Sequence, residues 1–417
     1  MNILVIGGGG REHAIVWALK KSPHTNKIYC APGNGGIAAL AECVSIKATD
    51  ITQMVKFAKE NKIDIVIVAP DDPLSLGMVD AMEAEGIKAF GPKKNAAIIE
   101  GSKIFSKDLM KKYGIPTAKY ESFTDMDEAL KYVRAQCTPI VIKADGLALG
   151  KGVVVATSPD MAEEAVISMM AKGQFGESGS RIVVEECMEG PEVTVLAFTD
   201  GKTIRTMPSS QDHKRAFDGD EGPNTGGMGA FCPSPKYTKE IAAQCMEKIF
   251  EPTIRAMNAE GRTFKGVLYF GLMLTNGGPK VVEYNARFGD PETQPILSLL
   301  ESDLLEILEA VIDERLCDID IKWGGGYSCC IVMASGGYPA SYKSGYPISG
   351  LGSVPNDITV FHAGTALRED EIVTNGGRVL GVTAKGETLT AAVSRAYEGV
   401  SHIHFTDSHY RRDIGTK

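Results

Sequence analysis

Apolar positions follow two spacings over the first hundred residues. Short continuous runs at 3–6, 27–31, 63–69 and 88–90 read as strands buried on both faces, whereas 12–21 and 51–61 repeat their apolar residues at helical spacing. Strands alternating with helices, with turn residues after each strand, predict a parallel, Rossmann-like sheet over 1–101.

The pattern changes at Gly101-Ser102-Lys103, where a helix runs to about Tyr113 and stops at Gly114, ahead of Pro116. Runs at 139–143, 153–156 and 181–186 read as strands and 159–172 as a helix, together a small α+β unit. Strands dominate 194–282, interrupted over 208–235 by a polar, glycine-rich stretch expected to be one long loop, either functional or disordered. A single helix over 293–315 closes this body, and Trp323-Gly324-Gly325-Gly326 reads as a linker. Beyond it, short apolar runs between Gly336-Gly337 and Gly376-Gly377 predict a separate β-rich domain. The expected divisions are 1–101, 102–320 with a smaller subdomain at about 117–188, and 325–417.

Composition narrows the function classes. A chain of 417 residues is too long for one ordinary core. Lys and Arg total 44 against 53 Asp and Glu, a net charge of -9 without blocks of like charge, which argues against a nucleic-acid partner. No apolar run approaches the ~18 residues of a membrane span, and the start Met1-Asn2-Ile3-Leu4 lacks the basic flank of a signal peptide, so a soluble, cytoplasmic protein is expected. The nine cysteines form no C-x-x-C pair and read as reduced core residues.

Candidate chemistry concentrates at 281–294. There Val281-Val282-Glu283-Tyr284-Asn285-Ala286-Arg287 runs as a strand into Phe288-Gly289-Asp290-Pro291-Glu292-Thr293-Gln294. Alternation along a strand puts Glu283, Asn285 and Arg287 on one face, two oxygen ligands suited to Mg²⁺ beside a guanidinium suited to phosphate. Lys143-Ala144-Asp145-Gly146-Leu147-Ala148-Leu149-Gly150-Lys151-Gly152 joins two strands through a glycine-dense turn without the G-K-[ST] ending of a P-loop. Such a loop can fold over a triphosphate, with Lys143 as the fixed charge and Lys151 as the moving one.

Gly7-Gly8-Gly9-Gly10 lies between the first strand and helix, where backbone N–H groups favour an anion. The dinucleotide fingerprint fails, because the third glycine position falls on Glu12 or His13 and no acid ends the second strand. A glycine turn with no ligand is the alternative. Asp71-Asp72-Pro73 follows the strand at 63–69 and reads either as a ligand site at the sheet edge or as a helix N-cap. Glu185 to Glu192 can present backbone groups to a base edge, and Asp212-His213-Lys214-Arg215 with Asn224-Thr225-Gly226-Gly227 can clamp a polar substrate.

In order along the chain, Lys103, Lys143, Glu185 and Glu283-x-Asn285-x-Arg287 resemble the ATP-grasp superfamily. More specifically, residues 7–14 (GGGGREHA), 143–153 (KADGLALGKGV), 211–215 (QDHKR), 222–230 (GPNTGGMGA), 287–294 (RFGDPETQ) and 375–383 (NGGRVLGVT) resemble the glycinamide ribonucleotide synthetase family across nearly the whole chain. The resemblance implies an ATP-grasp body with a lid subdomain. It also implies an ATP-dependent ligase that joins glycine to 5-phosphoribosylamine through glycyl phosphate, in purine synthesis. Its metal would be Mg²⁺ or Mn²⁺ on Glu283 and Asn285, and its working form a monomer or weak homo-oligomer.

Carried over by position, Lys103, Lys143 and Lys151 would contact phosphates, Glu185, Cys187 and Met188 the adenine, and Glu192 the ribose. Arg287, Lys143 and Asp290 would serve catalysis. Gly8, Gly9, Gly10, Asp71, Asp212, Lys214, Asn224, Thr225, Gly226 and Arg378 would contact the other substrates, with Asp212 and Asp290 both candidates for the glycine ammonium. Two departures stand out: Ala69-Pro70-Asp71 where the family usually has Gly-Pro-Glu, and no acid at Gly271-Leu272-Met273, on the strand before the Glu-x-Asn pair. Rival readings are an ATP-grasp enzyme with a different acid and acceptor, a Rossmann-type dehydrogenase and a non-catalytic nucleotide sensor.

Overall fold

A computed structural model describes residues 1–147, 152–171 and 179–416. The apolar runs near the start form β1 (Asn2–Gly7), β2 (Lys27–Pro32), β4 (Ile65–Val68) and β5 (Lys88–Phe90), with the short β3 (Glu42–Cys43) at one edge. They pair in parallel in the order β3-β2-β1-β4-β5. Helices cover both faces, which is why Ile3, Leu4, Val5 and Ile6 are all fully buried. Strand order reverses between β1 and β4, so Gly7 and Asp71 flank the crevice at the carboxyl edge.

Four antiparallel strands, β6 (Tyr120–Phe123), β7 (Ile140–Ala144), β8 (Val153–Ala156) and β9 (Ile182–Glu186), form a sheet ordered β6-β9-β7-β8. The helices Met126–Arg134 and Pro159–Met170 close it over a core of its own. The central sheet is β11-β10-β16-β17, built from β10 (Glu192–Thr199), β11 (Ile204–Thr206), β16 (Gly266–Thr275) and β17 (Gly278–Asn285). Between β11 and β16 the chain is not all strand: Lys239–Cys245, Met246–Phe250 and Glu251–Ala259 run on as one helical segment against the central core.

The stretch 208–235 is not a loop. It holds β12 (Gln211–Asp212), β13 (Arg215–Phe217), β14 (Glu221–Asn224) and β15 (Gly229–Cys232). β13 and β14 form a two-stranded ribbon. β12 and β15 extend the C-terminal sheet, ordered β12-β15-β18-β22-β19, whose other members are β18 (Tyr327–Ala334), β19 (Ile358–His362) and β22 (Arg378–Gly386). The fully buried β15 covers an edge of β18 that would otherwise leave its backbone unpaired. The ribbon β20 (Thr365–Arg368) and β21 (Glu371–Thr374) and the helix Leu389–His402 complete this region.

The helix expected over 293–315 is two helices, Thr293–Ser298 and Leu304–Ile312. Asp303 starts the second by accepting from Leu305 N at 2.9 Å. The presumed linker is engaged at the break, with Gly324 N donating to Leu299 O at 2.7 Å. All nine cysteines are free, and no helix among the described residues is long and apolar enough to cross a membrane.

N- and C-terminal regions meet through the helix Gly10–Leu19. Its His13 Nδ1 accepts from His362 N at 2.8 Å, with Phe361 packed edge-on at 5.7 Å. Burial, reinforced by His362, pushes the His13 pKa down to about 3, so the ring is neutral in the fold. An unfolded His13 titrates near 6.5, so its contribution is fully present above that pH and is lost as pH falls toward 3. His13→Asn keeps an acceptor at the Nδ1 position and cannot titrate. The wild-type advantage over H13N in denaturant unfolding should shrink by ~1.4 kcal/mol between pH 7.5 and 5.5. A constant difference would mean that folding leaves the His13 pKa unshifted.

Candidate active site

β17 carries the densest chemistry, and a register slip makes it usable. Asn285, Tyr284 and Glu283 pair with Tyr269, Phe270 and Gly271, but the next pair is Val281 with Leu272, leaving Val282 as a bulge. The Val282 carbonyl accepts from Lys143 Nζ at 3.2 Å. Glu283 and Asn285 share one face as alternation predicts. Arg287 lies beyond the strand end, so its position is set by contacts: Nη2 is 3.1 Å from Glu100 Oε1 and 3.5 Å from Asn285 Oδ1.

Lys103 begins the helix Lys103–Tyr113, capped by Ser102, and Nζ donates to Gly146 O at 2.8 Å. One turn on, Lys107 lies 3.0 Å from Glu185 Oε2, and Lys143 lies 3.1 Å from the same oxygen. Burial pushes the Lys107 pKa down to about 8 against the pull of Glu185. Glu185 therefore spends one oxygen holding two ammonium groups together. Its Oε1 is buried without a hydrogen-bond partner, as is Arg287 Nε. Native folds rarely leave such groups unpaired, which marks the region between them as a place for a polar ligand. Cys187 and Met188 are half-buried beyond β9. Lys151 lies outside the described residues.

Glu192 starts β10 and pairs with Lys214 at 3.0 Å, and Lys214 is also 3.6 Å from Glu283 Oε1. Burial alone would raise the Glu283 pKa, but Lys214, Lys143, Lys103 and Arg287 together hold it below the ordinary range. Carboxylates lacking such a ring of cations go the other way. Burial pushes Asp212 up to about 7, with Lys214 opposing, and it also raises Glu292. Glu100 rises to about 7 by burial, against Arg287.

A second cluster faces the carboxyl edge of the N-terminal sheet. Asp290 is 3.4 Å from Arg378 Nη2 and accepts from Gln294 Nε2 at 2.9 Å. Burial raises its pKa, but Arg378 and Arg11 outweigh that and keep it ionised. Arg378 Nη1 also donates to Gly226 O at 2.6 Å and to Asp290 O at 2.7 Å. Gly8, Gly9, Asn34, Asp290 and Arg378 line a cleft of about 320 Å³.

The glycines there have specific geometric causes. A Cβ on Gly8 would stand 2.4 Å from Gly33 O, and one on Gly10 would stand 2.6 Å from Gln294 Nε2. The Gly9 N–H is occupied by Glu12 Oε2 at 2.6 Å. Asp71 is the first residue of the helix Asp71–Leu76, whose N-cap is Pro70, so Asp71 is not the cap. Its charge bears on Glu100 and Arg287. Thr225 N and Oγ1 both donate to Lys214 O, and Asn224 pairs with Arg215 in the ribbon.

The structure thus gathers Lys103, Lys143, Glu185, Glu192, Lys214, Asp212, Glu283, Asn285 and Arg287 on one side of 285–294, and Gly8 to Gly10, Gly226, Asp290 and Arg378 on the other. Sequence reading missed Arg11, Glu12, Asn34, Glu100, Lys107, Glu292 and Gln294. Lys107 was findable as the helical neighbour of Lys103 four residues on. Arg11, Glu12, Glu292 and Gln294 lay inside quoted motifs, whereas Glu100 had no local signal. Among the described residues no three His, Cys, Asp or Glu side chains form a metal cage. The oxygen pair of Glu283 and Asn285 fits Mg²⁺, which usually takes its remaining ligands from phosphates and water.

Family models for the phosphoribosylglycinamide synthetase N domain, ATP-grasp (A) domain and C domain match residues 1–100, 101–293 and 328–417. The chain belongs to the phosphoribosylglycinamide synthetase family. Phosphoribosylamine-glycine ligase of Halalkalibacterium halodurans is 50% identical, covering 100% of this chain and 97% of the relative. That of Vibrio vulnificus is 51% identical over 100% and 98%. The crystal structure of phosphoribosylamine-glycine ligase from Thermotoga maritima superposes with a TM-score of 0.85 at 33% identity, covering 99% of this chain and 100% of that one. A biotin carboxylase from Campylobacter jejuni shares the fold, with a TM-score of 0.76 at 14% identity over 98% and 92%. The family and fold expected from the motifs therefore hold.

Glu100 accepts from Ala286 N at 2.7 Å as well as pairing with Arg287. Glu100→Ala strips both groups of their partner and should cost about 3 kcal/mol of unfolding free energy. Glu100→Gln, which keeps an acceptor for Ala286 N, should cost less than half of that. Equal losses in denaturant titrations would mean that the charge paired with Arg287, and not the acceptor that Gln retains, carries the contribution of Glu100.

Proposed function

We propose that the protein joins glycine to 5-phosphoribosylamine at the expense of ATP, forming glycinamide ribonucleotide, ADP and phosphate for purine synthesis. The observation that carries this reading is the ring of Lys103, Lys143, Lys214 and Arg287 around an ionised Glu283, beside the separate Asp290–Arg378 cleft. One side is built for a polyphosphate and the other for a polar acceptor, with the loop 285–294 between them. Membership of a family with an ATP-grasp domain and the names of relatives near 50% identity support the same assignment.

Glycine's carboxylate is already ionised, so the first step needs no base. A carboxylate oxygen attacks the γ-phosphorus, the bond to the β-γ bridging oxygen breaks, and ADP leaves from glycyl phosphate. Lys103 and Lys143 take the phosphates, Arg287 neutralises the transferring phosphoryl group, and positioning with charge supplies most of the acceleration. The phosphoribosylamine nitrogen then attacks the acyl carbon, phosphate leaves with the carbon–oxygen pair, and the nitrogen gives up a proton.

Glu283 and Asn285 would hold Mg²⁺, or Mn²⁺ in its place, which when bound neutralises phosphate charge. Glu185 Oε1, with the backbone of Cys187 and Met188, faces the adenine in this reading, and Glu192 takes the ribose. Lys151, outside the described residues, is a further phosphate contact in this reading. Gly8 to Gly10, Asp71 and Arg378 receive phosphoribosylamine, while Asp212 or Asp290 takes the glycine ammonium beside Lys214, Asn224, Thr225 and Gly226. The domains act as 1–101 for the acceptor, 102–320 for ATP with a lid at about 117–188, and 325–417 as a wall. The working form is a cytoplasmic monomer or weak homo-oligomer with small-molecule partners only.

ADP release should require glycine and phosphoribosylamine together. Equal turnover with bicarbonate, or none with the two purine precursors, sinks the assignment. Lys143→Ala should lower kcat/KM roughly ten- to 150-fold, the ~1.5 to 3 kcal/mol of a charge-assisted contact, and an unchanged value would make Lys143 a bystander.

A further inference from the structure

Arg411 has no exposed surface, yet it stands far along the chain from every group assigned above. A guanidinium removed from water must be both paired and hydrogen-bonded. Nε and Nη2 donate to the two oxygens of Asp413, each at 2.7 Å. Nη1 reaches outward, 2.9 Å from Asp220 Oδ1 and 3.1 Å from the carbonyl of Arg215. Further bonds run the same way: Gly219 N donates to Asp413 Oδ2 at 2.9 Å, Arg412 N donates to Asp218 Oδ1 at 2.7 Å, and His409 Nε2 lies 2.8 Å from Ala216 O. All of these partners belong to β13, β14 or the turn between them, so the end of the chain grips the tip of that ribbon.

A two-stranded ribbon has little stability of its own, and both feet of this one stand in the site. Lys214, which precedes β13, reaches Glu283, and Gly226, just beyond β14, accepts from Arg378. Thr225 ties the feet together through its two bonds to the Lys214 carbonyl. By contrast, Lys103, Lys143 and Glu185 are held by Gly146, Val282 and Lys107. A slack ribbon would disturb the acid and acceptor side and leave the lysines of the nucleotide side standing.

We propose that Arg411 is a positioning residue for the ligase reaction, clamping the β13–β14 ribbon so that Lys214 stays on Glu283 and Gly226 stays under Arg378. The inference rests on the ligase reading and adds a residue that touches no substrate. Two variants test it in the full chain. Arg411→Met deletes the clamp. Asp220→Asn removes one ion pair at a carboxylate that is 51% exposed, so it strands no buried acid.

Both folded variants should lower kcat/KM for phosphoribosylamine, by about tenfold for R411M, the ~1.4 kcal/mol of one charged contact, and by less for D220N. The directly measured ATP dissociation constant should rise by less than kcat/KM for phosphoribosylamine falls. Lys103, Lys143 and Glu185 are held apart from the ribbon, and the nucleotide side meets it through the Lys214 contacts to Glu192 and Glu283. Arg411→Lys should recover part of the loss. Hydrogen exchange over 213–227, measured without substrates, should quicken in both variants. Unchanged exchange there overturns the clamp, and so does an equal loss for ATP, glycine and phosphoribosylamine. Absence of turnover in the unmodified enzyme overturns the ligase reading itself and the positioning role with it, whatever the exchange shows.

Discussion

An irregular loop at the centre of a protein must find partners for its backbone polar groups, and most of this structure is arranged to supply them to residues 285–294. Ala286 N donates a hydrogen bond to Glu100, at the end of the helix that leads into the ATP-grasp body. The Phe288 carbonyl accepts from Arg11 Nη1 at 3.2 Å, from the first helix of the chain. The Asp290 carbonyl accepts from Arg378, at the start of β22. Three regions that are distant in sequence thus converge on three alternate residues, 286, 288 and 290, of one loop. Each contact is a charged side chain on a main-chain atom, stronger than a neutral bond and costly to leave unmade. The loop can be irregular, and therefore aim its side chains to both sides, only because these partners hold it.

The same convergence divides the carboxylates into two kinds. Glu283 and Asp290 are buried enough to favour protonation, yet cations on two or more elements keep them ionised. Glu292 and Glu100 are buried and Asp212 half-buried with less compensation, and their pKa values rise. Fixed charge sits on Glu283 and Asp290, and protonatable charge sits beside it. Environment rather than residue type makes the distinction. Lys143 is held by the carbonyl of the Val282 bulge, while Lys214 reaches Glu283 from the foot of the ribbon.

Legibility in the sequence followed the range of the interaction. The parallel sheet was readable because Ile3 to Ile6 and Ile65 to Val68 are apolar on both faces, a local property. The strands β12 to β15 were not, since segments of only two to four residues, too short to show alternation, acquire strand character by pairing with one another and with β18. The break between Thr293–Ser298 and Leu304–Ile312 was hidden by apolar spacing that continues through Leu299 and Leu300, although Asp303 was available as a cap. Within the site, Glu283, Asn285 and Lys143 announced themselves by spacing and motif. Glu100 did not, because its role is set by a loop almost two hundred positions away, and no nearby residue encodes that.

The glycines of residues 7–10 carry the argument one step further. Their density invites the picture of free N–H groups waiting for an anion, but Gly9 N already serves Glu12 and the helix start. Their necessity is steric instead. Gly8 lets the end of β1 approach the Gly33 carbonyl, and Gly10 lets the helix pass beneath Gln294. A side chain at Gly8 would run into the Gly33 backbone, on the wall that carries Asn34, whereas one at Gly10 would meet the movable end of the Gln294 side chain. The concave surface thus depends on the close approach of two backbone segments at Gly8. Its polar lining, from Asn34 to Arg378, is what gives that surface a chemistry to recognise.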